Sequence, residues 1–234
     1  MGEKRFADEV VQVMARKFRI LTLGGVAVIS HGLSRNTHDL DVWCEPLESA
    51  RNWTSGLRSI LTSFSGLELL EIGSLRPISF DELPAVIMQD GVIRTVGLDR
   101  PLDIFRRPNE MEVGEFEAVW RRATPLDDGT RLPDVVDLLV TKQDTGRAKD
   151  TYDIQFLEGK AEALYAERLP QALPDEAIEM LARFLNPKVA EIAARHSHPR
   201  VRETGIGFLR ELSAEGDPFA RDHLAALEKA SKLP

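Results

Sequence analysis

A chain of 234 residues, 43% hydrophobic and 29% charged, has the balance of a globular protein with room for one large domain or one domain and an appendage. Its net charge of −8 speaks against a broadly basic nucleic-acid-binding surface, leaving Arg106, Arg107, Arg121 and Arg122 as material for a local groove. The single cysteine, Cys44, excludes an intrachain disulfide and a cysteine-rich zinc site, and no apolar run approaches a membrane span.

The opening MGEKRFADEVVQVMARKF is charged throughout and lacks the apolar core of a signal peptide, so a cytoplasmic location is expected. Phe6, Val10, Val13, Met14 and Phe18 recur within it at helical spacing and predict an amphipathic helix. Arg19 to Leu23 reads as a first strand, Gly24-Gly25 as a break, Val26 to His31 as a short helix and Asp39 to Cys44 as a second strand. Asp39 and Asp41, at i and i+2 on that strand, put two carboxylates on one face, roughly 7 Å apart along the chain, while Leu40 and Val42 turn to the core. Converging oxygen ligands suit a hard divalent cation such as Mg²⁺. The glycine pair allows a tight turn into a helix whose first amides could face an anion.

Past Pro46, the residues Ala50, Trp53, Leu57, Ile60, Leu61 and Phe64 mark another helix. From Leu67 to Phe105 the pattern is short and β-like, in the runs LELLEI, PAVIMQ, GVIRTVGL and PLDIF, with Asp90-Gly91 as a hairpin turn. Asp103 stands between Leu102 and Ile104; unless it is a solvated strand end, an acid there must be paired or ligate a metal. Val113, Phe116, Val119 and Trp120 predict a helix, and Asp128-Gly129 a hairpin whose second arm ends at Pro133. Val135, Leu138 and Leu139 form a helical apolar face that Lys142 shares, where a lysine snorkels or serves a site. Asp153 shares a face with Phe156 and Leu157 and is expected to pair with Arg147 or Lys149.

After Lys160 the chain reads as helix only, which divides it into regions 1–158 and 160–234. Its apolar stripes are Ile178, Leu181 and Leu185; Val189, Ile192 and Ala193; Val201, Phe208, Leu209 and Leu212; and Phe219, Leu224 and Leu227. Pro187, Pro199 and Pro218 sit near helix starts, and the whole loosely resembles HEAT-like helix pairs. His196 and His198, with no third ligand nearby in sequence, are expected as exposed turn residues.

Gly24-Gly25-x-Ala27, His31-Gly32, Arg35, Thr37 and Asp39-x-Asp41 resemble the signature of the nucleotidyltransferase superfamily, and more narrowly its AbiEii-like, minimal-nucleotidyltransferase type. Pro101-Leu-Asp103-Ile-Phe105, Asp137-Leu-Leu-Val-Thr-Lys142, Gly146-Arg147, Lys149-Asp150 and Asp153 extend the likeness over about residues 6–158. The resemblance implies an α+β fold, a mixed sheet flanked by helices, with an all-α C-terminal extension. It makes Asp103 the third carboxylate beside Asp39 and Asp41, holding Mg²⁺, two ions when nucleotide is bound, with Asp103 also a candidate proton acceptor. Gly24 and Gly25 would then carry the phosphates of an NTP, helped by Arg35 or Lys142. The reaction implied is transfer of an NMP to an acceptor hydroxyl on RNA, protein or a small molecule of antibiotic type, with a cognate antitoxin protein as a partner and no membrane. A non-catalytic nucleotide-binding or interaction module of the same fold is the remaining alternative. Many members place a serine after the first glycine to grip a phosphate; Gly25 and Val26 stand here instead, as in AbiEii-like relatives.

Overall fold

The computed structural model describes residues 6–143 and 148–230. Gly146 and Arg147 lie outside them, as does the side chain of Lys149, so the expected pairing of Asp153 with either cation does too. Contacts divide the chain into Met1–Gln155 and Phe156–Pro234.

Alternating side chains build the sheet of the first unit. Its strands are β1 (Ile20–Thr22), β2 (Leu40–Cys44), β3 (Glu68–Leu70), β4 (Pro77–Ile78), β5 (Val92–Val96), β6 (Leu102–Phe105), β7 (Thr124–Pro125) and β8 (Arg131–Leu132). They pair in the order β4-β3-β5-β6-β2-β1-β8-β7, with β1/β8 and β2/β6 parallel and the other pairs antiparallel. Leu40, Val42 and Cys44 of β2, Leu102 and Ile104 of β6, and Ile93 of β5 share one buried apolar cluster. Onto it pack Val10 and Met14 of α1 (Ala7–Ala15), Trp53 and Leu57 of α3 (Ala50–Leu61), and Leu83 and Ile87 of α4 (Leu83–Asp90). Burying a side chain such as Leu57 stabilises the fold by about 1.5–3 kcal/mol. Period two then sends Asp41, Asp103 and Arg94 to the opposite face. On that face lies α5 (Phe116–Arg122), and α2 (Gly24–Ser30) and α6 (Val135–Val140) are further helices of the unit. There the Phe116 ring meets buried Trp43 edge-on at 5.2 Å.

The run PAVIMQ, expected as a strand, is helix α4 instead. Pro84 suits the first turn of a helix, and Gly91, at φ 71°, ends it in the left-handed conformation before β5 begins. Asp90-Gly91 is therefore a helix terminus, not a hairpin turn. The Asp128-Gly129 turn does join two antiparallel strands, β7 and β8. The β5–β6 connection is tied to α1: Asp99 accepts from the Ala7 amide at 2.7 Å, and Arg100 reaches Asp8 at 2.8 Å.

Helix α7 (Ala148–Arg168) runs without a break through residues 158–160 and contains residues of both units. The second unit continues with α8 (Pro174–Arg183), α9 (Pro187–Ala194), α10 (Pro199–Ala214) and α11 (Pro218–Ala230), each opened by a proline whose missing N–H costs nothing at that position. The α+β class and the helical C-terminal stretch thus match the sequence expectation. Leu185 departs from its stripe and is exposed, Met180 being buried in its place. His196 departs further: it is buried, because its Nδ1 accepts the His198 amide at 3.0 Å in the turn that starts α10. No described helix is long and apolar enough to cross a membrane.

Gly97 sets the β5–β6 turn at φ 90°, and a Cβ there would stand 2.2 Å from the Gly66 carbonyl oxygen. Gly66 also has positive φ, at 81°, with open space around it. Gly97→Ala should therefore cost more than Gly66→Ala, about 1–3 kcal/mol or several degrees in Tm. Thermal unfolding followed by circular dichroism checks the order, and equal losses would remove the close approach as its cause.

Candidate active site

Three strands place the charged groups in one row. In the parallel β2/β6 ladder Asp41 faces Asp103, and in the antiparallel β5/β6 ladder Asp103 faces Arg94. Side chains so paired stand about 4.5–5.5 Å apart at Cβ, where like charges repel. Arg94 relieves that repulsion: its Nε and one terminal nitrogen donate to the two oxygens of Asp103, both at 2.7 Å. The same terminal nitrogen is 3.8 Å from an Asp39 oxygen. Those bonds to Asp103 raise the arginine's pKa above its ordinary value, against the opposing effect of partial burial. The Asp103 side chain is only 4% exposed, so the acid placed among apolar neighbours is paired, as its position demands.

Asp39 precedes β2 and is oriented by Thr37, whose hydroxyl donates to its Oδ1 at 3.1 Å. One carboxylate oxygen each from Asp39, Asp41 and Asp103 lie within 4.8 Å of one another. Ligands of one Mg²⁺ at about 2.1 Å can be at most about 4.2 Å apart, so the set fits an ion after shifts of a few tenths of an ångström. The donor chemistry, three carboxylates, suits Mg²⁺ or Mn²⁺ over softer metals. It is the one such group of three among the described residues, which leaves His196 and His198 outside any metal site there.

The glycine pair does something that sequence reasoning missed. A Cβ on Gly24, itself at φ 59°, would fall 1.7 Å from Asp41 Oδ2. A Cβ on Gly25 would fall 2.4 Å from a terminal nitrogen of Arg35 and 2.5 Å from the Thr37 hydroxyl. Both glycines therefore exist to let site side chains lie against the backbone. They are also the first two residues of α2, not a break before it.

Lys142, just past α6, is buried and pairs with Asp150 at 3.1 Å and Asp153 at 2.9 Å. Asp153 in turn lies 3.3 Å from Arg35 Nε. The two cations expected to reach a phosphate thus share a buried acid, and Lys142 braces α7 to the end of α6. Gly24, Gly25, Arg35, Asp39, Asp41, Asp103 and Lys142 all line one open cavity of about 240 Å³, with Arg94, Phe105 and Asn109 on its walls. Every site residue expected from sequence is on it; Arg94 was missed. Its signal was present, since GVIRTVGL is a strand one hairpin away from Asp103 and Arg94 is the strongly polar residue on its outward face. Of the arginines available for a basic groove, Arg122 is committed elsewhere, making two hydrogen bonds to Asp137 at 2.9 and 2.7 Å, whereas Arg121 is exposed beside Glu117. Cys44 is wholly buried, which raises its thiol pKa and makes it a core residue.

No protein-family model matches the chain, and no curated protein does. Among solved structures it is similar to a "putative nucleotidyltransferase" from H. pylori, with a TM-score of 0.35 and 17% identity over 94% of this chain and 92% of that one. Likeness of that size decides neither fold nor activity, so the site is read from its own residues.

Removing one partner from a buried ion cluster leaves an uncompensated charge. Lys142→Met should accordingly lower unfolding free energy by about 3–5 kcal/mol, measured by urea unfolding. Unchanged stability together with weakened nucleotide binding would instead make the ammonium a phosphate ligand.

Proposed function

We infer that the chain is a metal-dependent nucleotidyltransferase that moves an NMP from an NTP to an acceptor hydroxyl. The observation that carries this reading is the convergence of Asp39, Asp41 and Asp103 on one cavity wall, with Arg35, Arg94 and Lys142 lining the same space. Acids for a cation beside cations for a phosphate chain are what phosphoryl chemistry requires, because such reactions depend on positioning and charge stabilisation. A divalent ion on these acids supplies Lewis-acid charge at the reacting phosphate and lowers the pKa of a coordinated hydroxyl.

The chain's own groups divide the remaining work. Asp39 and Asp41 would hold the ion, with Thr37 fixing the Asp39 carboxylate and Gly24 giving Asp41 its place. Arg94 and Arg35 offer positive charge toward the cavity from its two sides. Both oxygens of Asp103 accept from Arg94, which ties that carboxylate to the strand pairing. A cavity near 240 Å³ is smaller than the ~300–1,000 Å³ that encloses a drug-sized ligand, so it suits a phosphate chain with its ion better than a whole nucleotide.

Mg²⁺ is the proposed ion, and RNA or protein the proposed acceptor class, with toxin-like transfer and a cognate antitoxin as the biological setting. Incubation with each labelled NTP, Mg²⁺ and cell lysate, followed by RNase or protease, tests this. Label lost to RNase or to protease identifies the acceptor, and label in small molecules selects antibiotic-type transfer. Asp41→Asn should reduce labelling by about 10²–10³-fold and abolish the joint rise in Tm given by Mn²⁺ with NTP. A wild-type chain that labels nothing and shows no such rise would leave a non-catalytic module as the better reading.

A further inference from the structure

The arginine on the third carboxylate changes how many ions the site takes up. Arg94 and Asp103 are cross-strand partners in the β5/β6 ladder, so the backbone sets them opposite one another. The guanidinium fork meets both oxygens at 2.7 Å, the bidentate geometry that makes arginine–carboxylate pairs strong and directional. Asp103 is nearly wholly buried and Arg94 about three-quarters so, which shields the pair from screening by water. Three carboxylates and one guanidinium leave a net charge of minus two on the row, the charge that one divalent ion balances. The other two cations on the cavity wall do not alter the count, because Lys142 and Arg35 face Asp150 and Asp153.

We propose that Arg94 is a resident cation of the site, held on Asp103 where a second metal ion would otherwise sit, so that the row takes up one divalent ion, on Asp39 and Asp41. This rests on the metal-dependent reading above and concerns the chain before nucleotide binds, whereas the two ions of the family resemblance belong to the nucleotide-bound state. Arg94 is then a positioning residue. It fixes Asp103 and points its remaining charge at Asp39, 3.8 Å away, beside the path of an incoming phosphate.

Mn²⁺ titration of the full chain without nucleotide, with free ion followed by electron paramagnetic resonance, counts the ions directly. One ion per chain is expected for the wild type and for Arg94→Lys, which keeps the cation. Arg94→Gln should take up two, and Mn²⁺ should restore the Tm that this variant loses without metal. Asp103→Asn combined with Arg94→Gln removes both charges of the pair and should return the count to one, which serves if Arg94→Gln alone does not fold. Two ions on the wild type, or one on folded Arg94→Gln, overturns the role of Arg94 and leaves the metal reading standing. No ion on either protein overturns the metal reading, and the inference falls with it.

Discussion

Two aspartates side by side on neighbouring parallel strands are the constraint around which the first unit is arranged. Asp41 and Asp103 occupy register-matched positions on β2 and β6, at the centre of an eight-stranded sheet. Like charges there are destabilising in themselves, and a hydrophobic pair would pack better. The sheet accommodates them because the next strand puts Arg94 in the same register, and because Leu40, Val42, Leu102 and Ile104 anchor both strands from the other face. The apolar face fixes the register, since a slip of one residue would turn every acid into the core. The core therefore aims the site.

Around that row the surroundings are built for close approach. Gly24 leaves room for Asp41, and Gly25 for Arg35 and Thr37. A second layer of charge, Lys142 with Asp150 and Asp153, lies behind Arg35 and joins helices α6 and α7. Paired buried charges of this kind contribute little net stability, but a missing member is costly. Their contribution is geometric: they hold one wall of the cavity while the acids hold the other. An arginine standing on Asp103 also ties that carboxylate to the strand pairing itself, which is more rigid than any loop.

Much of this was legible in the sequence, and for a physical reason. Strand periodicity is two, so Asp39-x-Asp41 and Leu102-Asp103-Ile104 declare which residues share a face. The cavity contains every residue those patterns nominated. What could not be read was pairing across strands. Arg94 lies only nine residues before Asp103, yet its partner depends on the hairpin register set around Gly97, which the residue types alone do not fix. Lys142 was placed on the right face, but its acid partners come from a different helix. PAVIMQ misleads because a short apolar run fits strand and helix alike; Pro84 and Gly91 at its ends are helix punctuation. His196 looked like a surface turn residue because nothing local announces that its ring caps a backbone amide and is buried in doing so.

The central claim is that the acids form a one-ion site with Arg94 resident on Asp103. Crystals of the chain soaked in Mn²⁺ without nucleotide, examined by anomalous diffraction at the manganese edge, test it most directly. The account predicts one manganese peak coordinated by protein carboxylates, contacted by Asp39 and Asp41, with the Arg94 fork still on Asp103. A peak on Asp103 with the guanidinium displaced, or no peak at the acids at all, would contradict it.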